Sequence, residues 1–320
     1  MSDVSLPATP GVVPTGPEVW RRHAAEHVVE QSIDESSGPV SARKRFLRRF
    51  LRQRLALISL GFLVLIILVA VFAPVLAPYN PDKTNVLERF ASPSADHLLG
   101  TDQLGRDTLS RMLFGARVSL IAAFQAVGIA LLLGLIPGLV AGYFGKWVDV
   151  VIMRIAEAIM TFPPLLLAIA IVAVRGPGLG NAMLAVGIVS APRFARLVRG
   201  LVLAVREETY IEASRSIGTP TARILRRHVL PNILSPLVVQ ISLALGFSML
   251  AEAGLSFLGL GVRPPQASWG SLLQVAYANL SQNTFQAIPP GVAIMICVLA
   301  FNLLGDGLRD SLGKEIRRGK

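Results

Sequence analysis

The chain has 320 residues, is 52% hydrophobic and carries a net charge of +11 with a mean hydropathy of +0.58. In a soluble protein that charge would suggest nucleic acid, but here the basic residues collect in particular loops between uncharged runs, and aromatic-rich nucleic-acid motifs are absent. The single Cys297 sits inside an apolar run, which excludes an intrachain disulfide and a multi-cysteine metal site.

Residues 1–42 are rich in Pro, Gly, Ser and Glu with little periodicity and read as a disordered tail. They lack a signal-peptide layout, because the first apolar run starts too late. Residues 43–54 interleave Arg43, Lys44, Arg45, Arg48, Arg49, Arg52 and Arg54 with Phe46, Leu47, Phe50 and Leu51. Such a basic amphipathic run suits the surface beside a membrane span. Residues 55–73 then carry no charge and make roughly 28 Å of helix, enough for a first span, which with its flank covers 55–76.

Pro74, Pro78 and Pro81 end that helix, and 77–117 reads as a polar loop of mixed charge. Asp102 and Asp107 with Gly100 and Gly105 hint at an ion loop, but the spacing is not that of an EF-hand and no metal is expected. A core of further spans is expected over 118–312. The second span is 118–142, interrupted by Gln125 and Pro137. A basic turn at 146–154 leads to a third span at 155–174, with a local ion pair between Arg154 and Glu157 and a kink at Pro163 and Pro164. The fourth apolar run, 179–191, covers only about 20 Å. Pro192, Arg193, Arg196 and Arg199 follow it, either on a protein-facing or watery side of one long helix or snorkelling to the surface. One long helix running out of the membrane is the reading adopted. The fifth span is 234–258 and contains Glu252. A loop with Pro264, Pro265, Trp269 and a short amphipathic stretch precedes the sixth span at 289–304. A polar, basic tail closes the chain at 313–320.

Between spans four and five lies a basic segment, 207–231, that reads as two short helices meeting at a corner. Gly218 suits the left-handed position ending the first. Thr219 is a good N-cap and Pro220 a good first residue for the second. Pro231 should block further helix and push Leu230 toward extended geometry. Most of the 31 lysines and arginines fall before span one, around Lys146, from Arg193 to Arg227 and after span six. The positive-inside rule therefore places both termini and the corner in the cytoplasm, with 77–117 outside.

No phosphate-binding loop is present; Gly142-Tyr-Phe-Gly145-Lys146 lacks both the spacing and the hydroxyl. There is no HExxH, no GxSxG and no paired-Cys zinc spacing, and none of the four histidines sits in a span. A driven transporter of this sequence would need its energy from another subunit.

Glu212-Ala213-Ser214, three residues, Gly218, nine residues and His228-Val229-Leu230-Pro231 resemble the EAA loop of binding-protein-dependent ABC importer permeases, with Ser214 for the second Ala and His228 for an Ile. HLLGTDQLGRDTLSR (97–111), AEAGLSFLGLGVRPPQASWG (251–270) and FNLLGDGLRD (301–310) are similar to the C-type permease of dipeptide, oligopeptide and nickel importers. The resemblance implies an all-α integral membrane protein of six transmembrane helices with the type I ABC importer permease fold. It implies a homologous second permease, two cytoplasmic ABC ATPase subunits or domains holding ATP and Mg, an extracytoplasmic solute-binding protein and a peptide cargo. It implies no cofactor on this chain, no nucleic acid and no enzymatic activity, in a multi-pass bacterial inner-membrane protein. Glu212, Ala213, Ser214, Gly218, Leu230 and Pro231 would couple to the ATPases. Nickel, haem or glutathione cargo on the same machinery is the alternative. A stand-alone secondary transporter fits less well, because two interrupted half-length spans in inverted halves are not evident.

Glu252 is the intramembrane candidate for the pathway or a gate, against a hydrogen-bonded place inside the bundle. Trp269 is expected as an interfacial anchor or a contact for the binding protein.

Overall fold

The computed structural model describes residues 42–316; residues 1–41 and 317–320, which hold most of the expected tails, lie outside it. Among the described residues the regular structure is helical, apart from one antiparallel bridge between Thr101 and Asp107. Helix α1 (Ala42–Phe50) carries the basic-apolar run. Helix α2 (Arg54–Val71) is the first apolar span. The chain then breaks at Phe72 and re-enters a short helix, α3 (Ala73–Leu76), with Pro74 in its first turn, where a missing N–H costs nothing.

The loop that follows uses its aspartates as structural ties. Asp102 accepts from the backbone N–H of Leu104 (2.8 Å) and Arg106 (3.1 Å) and from Arg106 Nε (2.7 Å). Asp107 caps helix α4 (Thr108–Phe144) by accepting from the Ser110 backbone N–H and hydroxyl, both at 2.7 Å. Among the described residues no group of three or more His, Cys, Asp or Glu could hold a metal ion. Because Asp107 starts the helix, residues from Thr108 to Arg117, expected as loop, are instead the first turns of α4. At 37 residues, roughly 55 Å, α4 outruns a hydrocarbon core of about 30 Å.

Helices α5 (Lys146–Met160) and α6 (Pro164–Arg175) share the third apolar run and are bent by 90° at the proline pair. The Arg154–Glu157 pair forms on the exposed side at 3.4 Å. Helix α7 (Leu179–Arg206) runs unbroken through Pro192. Three of its four arginines engage protein: Arg193 lies 5.0 Å over the Phe247 ring, Arg199 forks onto Asp149 at 2.5 and 2.6 Å, and Arg206 donates to the Tyr143 carbonyl at 3.0 Å, while Arg196 is exposed. Helix α10 (Leu230–Phe257) holds the fifth apolar run. Helices α11 (Trp269–Ala278) and α12 (Ile288–Ile316) complete the chain. Helix continues to Ile316, through residues read as the start of a polar tail. Among the described residues four helices are long and apolar enough to cross a membrane, or five if the bent α5–α6 pair is one span. The arginines of α7 keep it below the apolarity of the others.

The most extensive helix pair is α4 against α7, and small residues make it close. A Cβ at Gly134, Gly138 or Gly142 would lie 2.5 Å from the Ala191 carbonyl, 2.7 Å from that of Ala195 and 2.7 Å from Val202 Cβ. These glycines recur every fourth residue, so one stripe of α4 lets the two backbones touch. In a bilayer this contact replaces the hydrophobic drive that lipid cannot supply. Helix α12 in turn packs on α10 and α2.

Candidate functional site

The corner at 207–231 is built from α7, helix α8 (Thr209–Ser216), helix α9 (Thr221–Ile224) and α10. Glu207 caps the end of α7 and Glu208 occupies the N-cap of α8, so only Glu212 of the three glutamates is helical. Glu212 in the first turn and Arg215 in the last turn both suit the helix dipole. Gly218 adopts φ +74°. The Thr219 N–H donates to the Ser214 carbonyl (3.0 Å) and the Gly218 N–H to that of Arg215 (2.9 Å). This double closure satisfies the final carbonyls of α8.

Two expectations shift here. Pro220, not Thr219, occupies the N-cap, and α9 begins at Thr221. Leu230 is helical (φ −57°, ψ −46°), not extended. A π turn at Leu225–Val229 precedes it, and Pro231 falls in the first turn of α10. The wider turn removes the usual demand for an N–H at Pro231, so the second arm of the corner runs continuously into α10.

The inner side of the corner is locked. Ile211, Ile224, Val229 and Ile233 are at most 1% exposed. Asn232 Nδ2 donates to the Tyr210 hydroxyl at 3.0 Å, tying α8 to α10. Arg215 stacks 4.9 Å from the Tyr143 ring, tying α8 to the end of α4, where Arg206 also holds the Tyr143 carbonyl. Burial pushes the Tyr210 phenol above its ordinary pKa, with Glu208 adding to the shift. The outer side is open: Glu212, Ala213, Ser216 and Gly218 are exposed and Ile217 is 82% exposed. Ser214 is half-buried, its hydroxyl donating to the Tyr210 carbonyl at 2.7 Å, and Leu230 is half-buried while Pro231 is exposed. The structure thus brings Glu212, Ala213 and Gly218 to one surface and sets Leu230 behind it. Tyr143, Tyr210 and Asn232, which hold this surface, were not anticipated; only their proximity in the fold reveals them.

Glu252 lies elsewhere, sealed in the bundle at 1% exposure. It accepts from Ser119 Oγ of α4 (3.1 Å) and Ser256 Oγ of α10 (2.7 Å). Ser119 Oγ also accepts from the Trp269 N–H at 3.1 Å, while Trp269 Nε1 donates to the Met112 carbonyl at 3.0 Å. Trp269 is therefore neither an interfacial anchor nor an exposed contact: at 2% exposure it joins α11 to α4. Its buried N–H needs a partner and finds one in a turn of α4 that the sequence assigned to loop.

Two further cavities flank α5 and α7. One of ≈310 Å³ is polar, lined by Asp149, Arg154, Glu157, Arg196 and Arg199; the other, of ≈270 Å³, is apolar, between Pro137, Ile155, Ile159, Ile188 and Ala195.

Residues 130–318 match the family of the binding-protein-dependent transport system inner membrane component. Residues 41–93 match the N-terminal TM domain of oligopeptide transport permease C. The dipeptide transport system permease protein DppC of Alkalihalophilus pseudofirmus is 42% identical over 278 residues, covering 87% of this chain and 91% of that one. The glutathione transport system permease protein GsiD of Pectobacterium atrosepticum is 44% identical (93% and 99% covered), and that of Escherichia coli 45% identical (93% and 98%). A chain in inward-facing structures of the MetNI methionine ABC transporter superposes with a TM-score of 0.51 at 22% identity, covering 64% of this chain and 96% of that one, which establishes the shared fold. The chain belongs to the family of binding-protein-dependent transport system inner membrane components, as a multi-pass C-type permease subunit.

Proposed function

We propose that this chain forms half of the translocation pathway of an ATP-driven importer for di- and oligopeptides, and that residues 207–231 are the surface through which cytoplasmic ATPases drive it. One observation carries the reading: the corner exposes Glu212, Ala213 and Ile217 while its inner side is fixed to both α4 and α10. A load on its outer face therefore moves two spans as one body, which is the geometry alternating access requires. Glu212, Ala213 and Ser214 meet the ATPase, Gly218 shapes the corner, and Leu230 and Pro231 transmit its motion into α10. The partners are a homologous second permease, two ABC ATPase subunits or domains that bind ATP and Mg, and an extracytoplasmic binding protein. This chain binds no cofactor. It crosses the membrane six times, with α7 as the fourth crossing and both termini cytoplasmic, on the strength of its arginine distribution. Glu252 acts as a polar tie between α4 and α10, in place of a role in the open pathway, because its carboxylate is occupied by two serines.

The names of the GsiD relatives support a second cargo, glutathione. Ligand identification on the cognate binding protein separates the two.

The coupling role is tested at Gly218. A β-branched side chain there meets open space but must adopt φ +74°, a strain of roughly 1–2 kcal/mol. In proteoliposomes, the Gly218→Val importer should insert and assemble, yet lose cargo-stimulated ATP hydrolysis and uptake together. Normal uptake would sink the coupling role.

A further inference from the structure

Val186, Arg193 and Gly200 recur along one stripe of α7. Cover on this stripe ends partway. Val186 is buried with Ala168 and Val172 of α6 and Leu255 of α10. Beyond α6, Arg193 and Gly200 are exposed, and a Cβ at Gly200 would meet nothing within 4 Å. Helix α5, bent from α6 by 90°, reaches α7 instead at Arg199, through Asp149.

The Arg193 guanidinium lies 5.0 Å over the Phe247 ring of α10. The ring takes one face of the guanidinium plane, while the N–H donors lie at its edges. Among the described residues Arg193 makes no hydrogen bond or ion pair, so those exposed edges are free. One turn further, Arg196 lines the ≈310 Å³ polar cavity. The other charges there are matched, Asp149 with Arg199 and Glu157 with Arg154, which leaves Arg196 as a second unpaired cation among the described residues.

Depth makes this arrangement unusual. Phe247 stands roughly 15 Å before the end of α10 at Phe257 and roughly 20 Å after Leu234, where the apolar run begins. That is the middle of a hydrocarbon core of about 30 Å. Side chains on a helix lean toward its N-terminus, so Arg193 reaches back along α7, away from the corner. It does not snorkel toward that end. An exposed arginine at such depth is costly against lipid and belongs to a face that meets water or a partner. Helices α7 and α10 are also the two that the corner joins, so motion of the corner acts directly on this face.

We propose that the Arg193 face of α7 and α10 is a water-filled wall of the pathway, and that Arg193, held in place by Phe247, favours cargo carrying carboxylates over cationic cargo. Arg196 adds to the same field. The identification with cargo rests on the reading of the chain as a peptide importer.

The first test uses the importer assembled with its partner subunits in nanodiscs. Arg193→Cys should react with a small anionic methanethiosulfonate, since the native Cys297 is buried. In Gly200→Cys the anionic reagent should outpace its cationic counterpart by about threefold or more, and adding Arg193→Gln should narrow that lead. An inert Arg193→Cys, or equal rates for the two reagents, would overturn the proposal. The second test compares uptake of alanyl-glutamate and alanyl-lysine. The ratio of acidic to basic peptide should fall about threefold in Arg193→Gln and about tenfold in Arg193→Glu, while Arg193→Lys keeps most of it. An unchanged ratio, or an equal loss for both peptides as when an ion pair to the second permease is broken, counts against the assignment. If neither peptide enters through the wild type, the importer reading fails, while the two labelling experiments still decide whether the face is wet and favours anions.

Discussion

His97 sits where three parts of the loop between α3 and α4 meet. Its Nδ1 is 2.9 Å from Asp107 and its Nε2 3.3 Å from Glu88, so the doubly protonated ring bridges two carboxylates. Tyr79 packs on the ring at 4.9 Å, and Lys83 and Asp96 face the same small cavity. The hydrogen bond to Asp107 raises the imidazole above its ordinary value of 6.5; burial opposes this and Glu88 reinforces it. A raised folded value means that the bridge stabilises fully below the unfolded pKa and fades as pH rises through the folded one. Melting temperatures of the purified complex should therefore favour the wild type over His97→Gln most at acid pH, with the gap closing as pH rises. A gap that is constant with pH would show that the ring acts only by packing.

At the scale of elements, the α4–α7 contact is the one most sensitive to volume. Gly138→Val would set its Cβ 2.7 Å from both the Ala195 carbonyl and Val198 Cβ, neither of which can move without separating the helices. Such overpacking costs about 1–3 kcal/mol. Gly128→Ala on the same helix meets nothing within 4 Å and should be neutral or slightly stabilising. Thermal melts of the two variants side by side check this; equal behaviour would refute close backbone packing. The four-residue glycine period was present in the sequence and could have been read as a small-residue interface, but its partner helix could not. The break between α5 and α6 is different, because Pro163 and Pro164 marked its place, whereas the 90° angle depends on what α6 packs against, chiefly α7.

For the whole molecule, the decisive question is which side the corner occupies. Ser216 is exposed on α8 and its hydroxyl only returns to the Glu212 carbonyl, so Ser216→Cys should be tolerated. In intact cells this cysteine should resist impermeant thiol reagents and crosslink to a cysteine on the partner ATPase; the native Cys297 is buried and should stay silent. Labelling from outside would overturn the topology.

Much of this architecture was legible from residue order, because long uncharged runs, proline breaks and clustered arginines act locally or against a uniform bilayer. The corner was legible too: a left-handed glycine closing one helix requires nothing beyond its neighbours, and Gly218 does this. What escaped were features whose cause lies far along the chain. Asp107 turned expected loop into helix, and the α4 residue Ser119 then found Glu252 and the Trp269 backbone. Leu230 stayed helical because a π turn absorbed Pro231. Sequence alone therefore determined the apolar runs, the charge asymmetry and the left-handed glycine of the exposed corner. Only tertiary structure decided which buried polar groups meet, since a buried hydrogen bond is defined by its surroundings and not by its neighbours in the chain.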